Sequence, residues 1–177
     1  MRWTGSVAKE ILPNGLTVLV QQDASVPVVA VVTHVKAGYF DEPDEWVGIA
    51  HVLEHMFFKG TTRRGPGELA RETQQLGGYL NAGTIYDKTV YYAVVPSANN
   101  GLAQAVELQA DALMHVALDP DELRRELEVI IQEARRKLDS PCRLLEAVSP
   151  PWIYPGPQYF SYAVITRPVL SSSSTIS

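Results

Sequence analysis

Apolar residues along the chain change their spacing several times, and each change marks an element. Val7 to Leu12 and Leu16-Thr17-Val18-Leu19-Val20 flank the pair Asn14-Gly15. That pair tolerates positive φ, so residues 7 to 22 read as a β-hairpin. Another strand is predicted over residues 27 to 36. Its run Val28-Val29-Ala30-Val31-Val32 is almost continuously apolar, which suits a central strand covered on both faces. The acidic, proline-containing stretch from Tyr39 to Glu45 then breaks the pattern. From about Trp46 to Phe58 the residues Ile49, Val52, Leu53, Met56 and Phe57 recur at helical spacing, and Gly60 follows as a stop. A second helix is expected over residues 67 to 76, between Pro66 and the pair Gly77-Gly78. Two strands rich in Tyr, Thr and Val follow, near residues 79 to 85 and 89 to 95. Helical periodicity returns over residues 100 to 116. Asp119-Pro120-Asp121-Glu122 then supplies a cap, a first-turn proline and acidic first-turn residues, opening a helix to about Lys137.

The 177 residues, 46% hydrophobic and 20% charged, carry enough apolar material for one core and too little for two comfortable domains. A net charge of −5 with no Lys/Arg-dominated stretch argues against a nucleic-acid partner. Cys142 is the sole cysteine, so neither an intrachain disulfide nor a thiolate cluster is available, and a metal must use His and carboxylate. The start lacks the apolar run of a secretory signal, and no stretch approaches the ~20 apolar residues of a membrane span. A soluble, cytoplasmic protein is the expectation. Beyond Pro141 the texture shifts to prolines among aromatics and then a serine-rich end. We therefore divide the chain into a domain over residues 1–140 and a tail over 141–177.

The helix near residue 50 carries His51-Val52-Leu53-Glu54-His55. At 3.6 residues per turn, His51, Glu54 and His55 project within roughly 100° of one face. Two neutral imidazoles one turn apart can reach the same tetrahedral Zn2+, while the carboxylate beside the second reaches the attacking water and acts as general base. This is the H-x-x-E-H order of inverted zinc peptidases. The alternative is a set of partly exposed polar residues on an amphipathic helix. A catalytic zinc needs a third protein ligand. Glu126 and Glu133, seven apart on the last helix, share a face, whereas Glu128 points elsewhere. Spacing alone leaves the choice between them open.

Other polar and aromatic residues read as structural. His34 and His115 have no partner motif, and Tyr86, Tyr91 and Tyr92 suit strand packing. Arg135-Arg136-Lys137 reads as a solvated helix end, and Cys142 has no activating base nearby.

His51 to His55 is followed by Met56-Phe57-Phe58-Lys59-Gly60-Thr61 and preceded by Leu12-Pro13-Asn14-Gly15-Leu16. Gly77-Gly78-Tyr79-Leu80-Asn81-Ala82, Asp87-Lys88-Thr89-Val90-Tyr91-Tyr92 and Glu126 to Glu133 come after, in that order. In these motifs, over about residues 8 to 140, the sequence resembles the pitrilysin family, which includes insulysin and the mitochondrial processing peptidase. The resemblance implies an α+β fold, a largely antiparallel β-sheet flanked by helices. It implies a zinc metalloendopeptidase in which His51, His55 and Glu133 bind Zn2+ and Glu54 activates the water. Glu126 matches a second acidic position that supports catalysis, and its physical role would be to orient His51 or His55. The strand at Asn81 and Ala82 resembles the edge on which family members lay an extended peptide substrate, by β-augmentation. Gly83 departs from the larger residue that the family often has there.

Family members continue into a second, similar domain that closes over the site and contributes an Arg and a Tyr, for which this chain has no match. The resemblance therefore implies a domain incomplete at its C-terminus. It is either a natural half that pairs with a complementary family half in a homo- or hetero-oligomer, or a product of truncation or of a frameshift near residues 140 to 150. Two functions follow as expectations: a zinc endopeptidase needing such a partner, or a noncatalytic partner or assembly subunit of the same family.

Overall fold

The computed structural model describes residues 7–138. The expected hairpin is present as β1 (Val7–Ile11) and β2 (Thr17–Gln21), paired antiparallel. Its turn closes with Gly15 at φ +86° and the Leu16 N–H on the Asn14 side chain at 3.1 Å. A separate antiparallel sheet has the order β3-β5-β4, built from β3 (Val28–Val35), β4 (Tyr79–Thr84) and β5 (Thr89–Pro96). The helices are α1 (Ile49–Met56), α2 (Glu68–Gln75), α3 (Gly101–Met114) and α4 (Pro120–Leu138). This is the α+β arrangement of antiparallel strands and flanking helices that the resemblance implied. The tail from residue 141, with Cys142, lies outside the described residues.

One expectation is corrected. The apolar run of β3 suggested a central strand, yet β5 occupies the centre and β3 pairs with β5 alone among the described residues. Val28 and Val32 are 48% and 60% exposed. Valine favours any pleated surface, so a run of it reports strand formation more reliably than coverage of both faces.

Burial instead alternates along β5, where Thr89, Tyr91, Ala93 and Val95 are buried. Tyr91 packs with Phe57 from the end of α1, Leu69 from α2, and Leu108 and Ala112 from α3. Ala93 and Val95 pack with Ala105, against Val29 and Val31 of β3. Three helices thus cover one face of the sheet. The buried Gln109 of α3 accepts from Thr33 at 2.7 Å and donates to the Val31 carbonyl at 3.0 Å, so its amide is satisfied against β3.

The short α1 is held at its start by two devices. Gly48, at φ +98°, makes the left-handed entry that a side chain would strain. Glu42, in the stretch that interrupts the hydrophobic pattern, accepts from the Gly48 and Ala50 N–H groups, each at 2.6 Å. A carboxylate there satisfies two orphan donors and suits the positive end of the helix. Just upstream, the Gly38 backbone lies against the β4–β5 turn. A Cβ on Gly38 would sit 2.2 Å from the Ile85 carbonyl oxygen and 2.5 Å from the Lys88 nitrogen. At the other end of the fold, Asp119 caps α4 as expected, accepting from the N–H groups of Asp121 and Glu122 at 3.0 and 2.9 Å.

Candidate metal centre

Packing of α4 on α1 brings distant ligands together. The Nε2 atoms of His51 and His55 lie 3.2 Å apart. Oε2 of Glu133 lies 3.7 Å from the first and 3.8 Å from the second. Ligand atoms held 2.0–2.2 Å from one tetrahedral centre are separated by about 3.3–3.6 Å, so this triangle fits a single zinc with a fourth position open. Among the described residues these three side chains form the cluster of metal-ligating groups.

The protonation pattern agrees with that fit. His55 Nδ1 is 2.9 Å from Oε2 of Glu126. An ionised carboxylate there takes the Nδ1 proton as its hydrogen bond and leaves the Nε2 lone pair facing the cluster. Glu126 is 6% exposed, and burial opposes its ionisation. Lys59, 2.5 Å from its other oxygen, and His55 outweigh burial and hold the carboxyl below the usual carboxylate range. These two imidazole nitrogens, 3.2 Å apart with the Glu133 carboxylate beside both, form a donor set that a single cation would bridge.

Glu54 precedes His55 on α1, and its Oε2 accepts a hydrogen bond from the Thr84 hydroxyl at 2.5 Å. Tyr91 lies below, its phenol pushed up to about 12 by burial and then by the Glu54 charge. The Tyr39 ring meets the His51 ring edge-on, with centroids 6.4 Å apart.

Both acidic candidates on α4 therefore face the histidines, in different positions: Glu133 at the Nε2 cluster and Glu126 behind His55. Glu128 is exposed. Asn81 and Ala82 sit on β4, a strand paired on one side only among the described residues. Asn81 is exposed and accepts from the Ala82 N–H at 2.9 Å. His34 is exposed, and His115 pairs with Asp111 at 3.2 Å. Tyr91 is buried, Tyr92 meets Tyr79 and Tyr86 stacks on Phe40. Arg135 and Arg136 are exposed. Glu42, Lys59 and Thr84 were not singled out from the sequence as supports of the site. Lys59 lies in a bend beyond the end of α1, so helical spacing from His55 does not mark it.

Comparison with known proteins identifies the family. The family model described as insulinase, peptidase family M16, matches residues 17–149. An uncharacterised zinc protease of Rickettsia felis is 36% identical over 166 residues, covering 94% of this chain and 38% of the relative. A probable mitochondrial-processing peptidase subunit beta of Arabidopsis thaliana is 41% identical over 122 residues, covering 69% and 23%. Among solved structures, a protease from Helicobacter pylori superposes with a TM-score of 0.73 at 33% identity, covering 80% of this chain and 34% of its own. The chain thus spans well under half the length of the relatives it matches. Among the described residues no helix is long and apolar enough to cross a membrane. With most of its length matched by the family model and both relatives above 30% identity, the chain belongs to the insulinase (M16) family of peptidases, whose cofactor is zinc.

Proposed function

We propose that this chain supplies the metal site and the general base of a zinc endopeptidase that acts on peptides, working with a complementary family half or partner subunit. The observation that carries this reading is the convergence of His51, His55 and Glu133, with Glu54 on the same short helix. When bound, zinc is a Lewis acid that makes a water acidic enough to attack a peptide carbonyl near neutral pH. Two imidazoles and one carboxylate hold it and leave room for that water. Glu54 accepts the water's proton and is placed to return it to the leaving amine. Glu126 fixes the tautomer and ring orientation of His55. The edge of β4 at Asn81 and Ala82, which no other described strand pairs, accepts the peptide as an added strand, its main-chain hydrogen bonds giving affinity without demanding one sequence.

A partner is supported by the relative named as a mitochondrial-processing peptidase subunit beta, since a beta subunit is one chain of an assembly. Attack geometry and donors for the oxyanion are as necessary as water activation, and one lost oxyanion donor costs about 100-fold or more. The test measures zinc content and hydrolysis of a quenched fluorescent peptide, with and without a complementary family chain. About one zinc per chain, little hydrolysis alone and a large gain on mixing are expected. Full zinc occupancy with no hydrolysis in any assembly would leave a noncatalytic subunit.

A further inference from the structure

β4 carries a contact that the proposed chemistry leaves unused. Leu80, Ala82 and Thr84 share the half-buried face of this strand, while Tyr79, Asn81 and Gly83 are exposed. Leu80 and Ala82 pack against the cluster around Phe57 and Tyr91. Thr84 ends the row, and its hydroxyl reaches Glu54 Oε2 at 2.5 Å. Opposite it in the ladder stands Thr89, 3.4 Å away hydroxyl to hydroxyl. Thr89 gives its own proton to the Ala37 carbonyl at 3.0 Å. The Thr84 proton is therefore directed to Glu54 and leaves the other carboxylate oxygen for a second partner. The turn beyond is closed by the Ile85 N–H on the Lys88 carbonyl at 2.9 Å and buttressed by the N–H groups of Tyr39 and Phe40. The hydroxyl thus stands on a doubly supported hairpin end.

We propose that Thr84 is the positioning residue of the general base. It pins one oxygen of Glu54, turns the other toward the attacking water, and sets the distance between the base and the strand that receives the peptide. This rests on the peptidase reading above. Free rotation of an unpinned glutamate would spread the base over several rotamers, and a misplacement of about 1 Å is enough to cost ~100-fold in rate. Thr89 has its own bond to the Ala37 carbonyl and meets the Thr84 hydroxyl only at 3.4 Å, so removing that hydroxyl falls mainly on Glu54.

The experiment compares Thr84→Val, close in shape but without the hydroxyl, with Thr84→Ser, which keeps it. Zinc content, kcat and KM are measured on the zinc-loaded chain mixed with its complementary half. Thr84→Val is expected to retain zinc and to lose about 10–100-fold in kcat with KM within about twofold. Thr84→Ser is expected to recover most of that loss. Wild-type kcat in Thr84→Val, or no recovery in Thr84→Ser, overturns the inference. A second measurement is independent of activity: a double-mutant cycle of Thr84→Val and Glu54→Ala on thermal stability of the zinc-free chain. Should the wild type hydrolyse nothing, the peptidase reading fails by itself and the cycle still decides. Strictly additive effects overturn the contact, and coupled effects support it.

Discussion

Lys59 reaches Oε1 of Glu126 at 2.5 Å, while Oε2 of the same carboxylate takes His55. One buried acid is thus gripped from both sides, by a cation from the loop after α1 and by an imidazole of the candidate metal cluster. Lys59→Met should leave Glu126 buried without its main counter-charge and free to swing from His55. Partners one step behind a metal ligand typically contribute 10–100-fold to affinity. The expected outcome is zinc binding weakened by about 10-fold or more in a chelator competition, with all three ligands intact.

Ligand and base separate by substitution. Glu133→Gln should weaken zinc binding strongly, while Glu128→Gln, on an exposed side chain, should leave it unchanged. Equal zinc retention in both variants would remove Glu133 from the site. Glu54→Gln should keep the metal and lose hydrolysis in the active assembly by about 100-fold or more, since an amide cannot accept the water's proton. His51→Ala and His55→Ala should lose both properties.

Gly38→Ala tests the support under the β4–β5 turn. Its methyl would collide with backbone atoms of Ile85, Tyr86 and Lys88, which cannot rotate away as a side chain would. Overpacking of this kind costs about 1–3 kcal/mol, read as a lowered thermal midpoint. The displaced turn should also lower kcat, because Thr84 moves with it.

Acid lability should concentrate at Asp111. This residue is buried on α3 and accepts from Thr61 at 2.8 Å and Arg64 at 2.6 Å. Burial opposes its charge, but Arg64, Thr61 and Arg63 outweigh burial and hold its carboxyl below the usual range. A depressed folded value stabilises the fold above the unfolded pKa of about 3.9 and is lost as pH falls through the folded value. Asp111→Asn should therefore cost a nearly constant stability above about pH 5, and the gap to wild type should close below about pH 4. Denaturant melts at pH 7 and pH 3.5 check this, and a gap unchanged between them would assign the loss to packing.

The sequence foretold some of this and was silent on the rest, for physical reasons. The helical row Ile49, Val52, Leu53, Met56 and Phe57 reads as α1 because period 3.6 is a local property. The Asn14-Gly15 turn and the Asp119 cap are readable for the same reason. The place of β3 in the sheet was not, since its valines carry strand propensity and no record of which neighbour pairs on each side. Glu126 and Glu133 were narrowed to one face by spacing, but their separate positions depend on how α4 crosses α1. Thr84 meeting Glu54, and Glu42 capping Gly48 and Ala50, are contacts across loops or between elements, where neither periodicity nor composition leaves a trace.

The candidate ligands are divided between α1 and α4, and that division would put the site on a clock. Domains fold as they are made, at about 5–20 residues per second, so the two histidines leave the ribosome several seconds before Glu133 exists. In that interval the nascent chain offers only a His pair, a weak site able to exchange whatever ion it meets. Docking of α4 would add the third ligand and turn a loose two-point chelate into a three-point site that still leaves the water position open. Metal selection would then fall late in synthesis, once the last helix has been made.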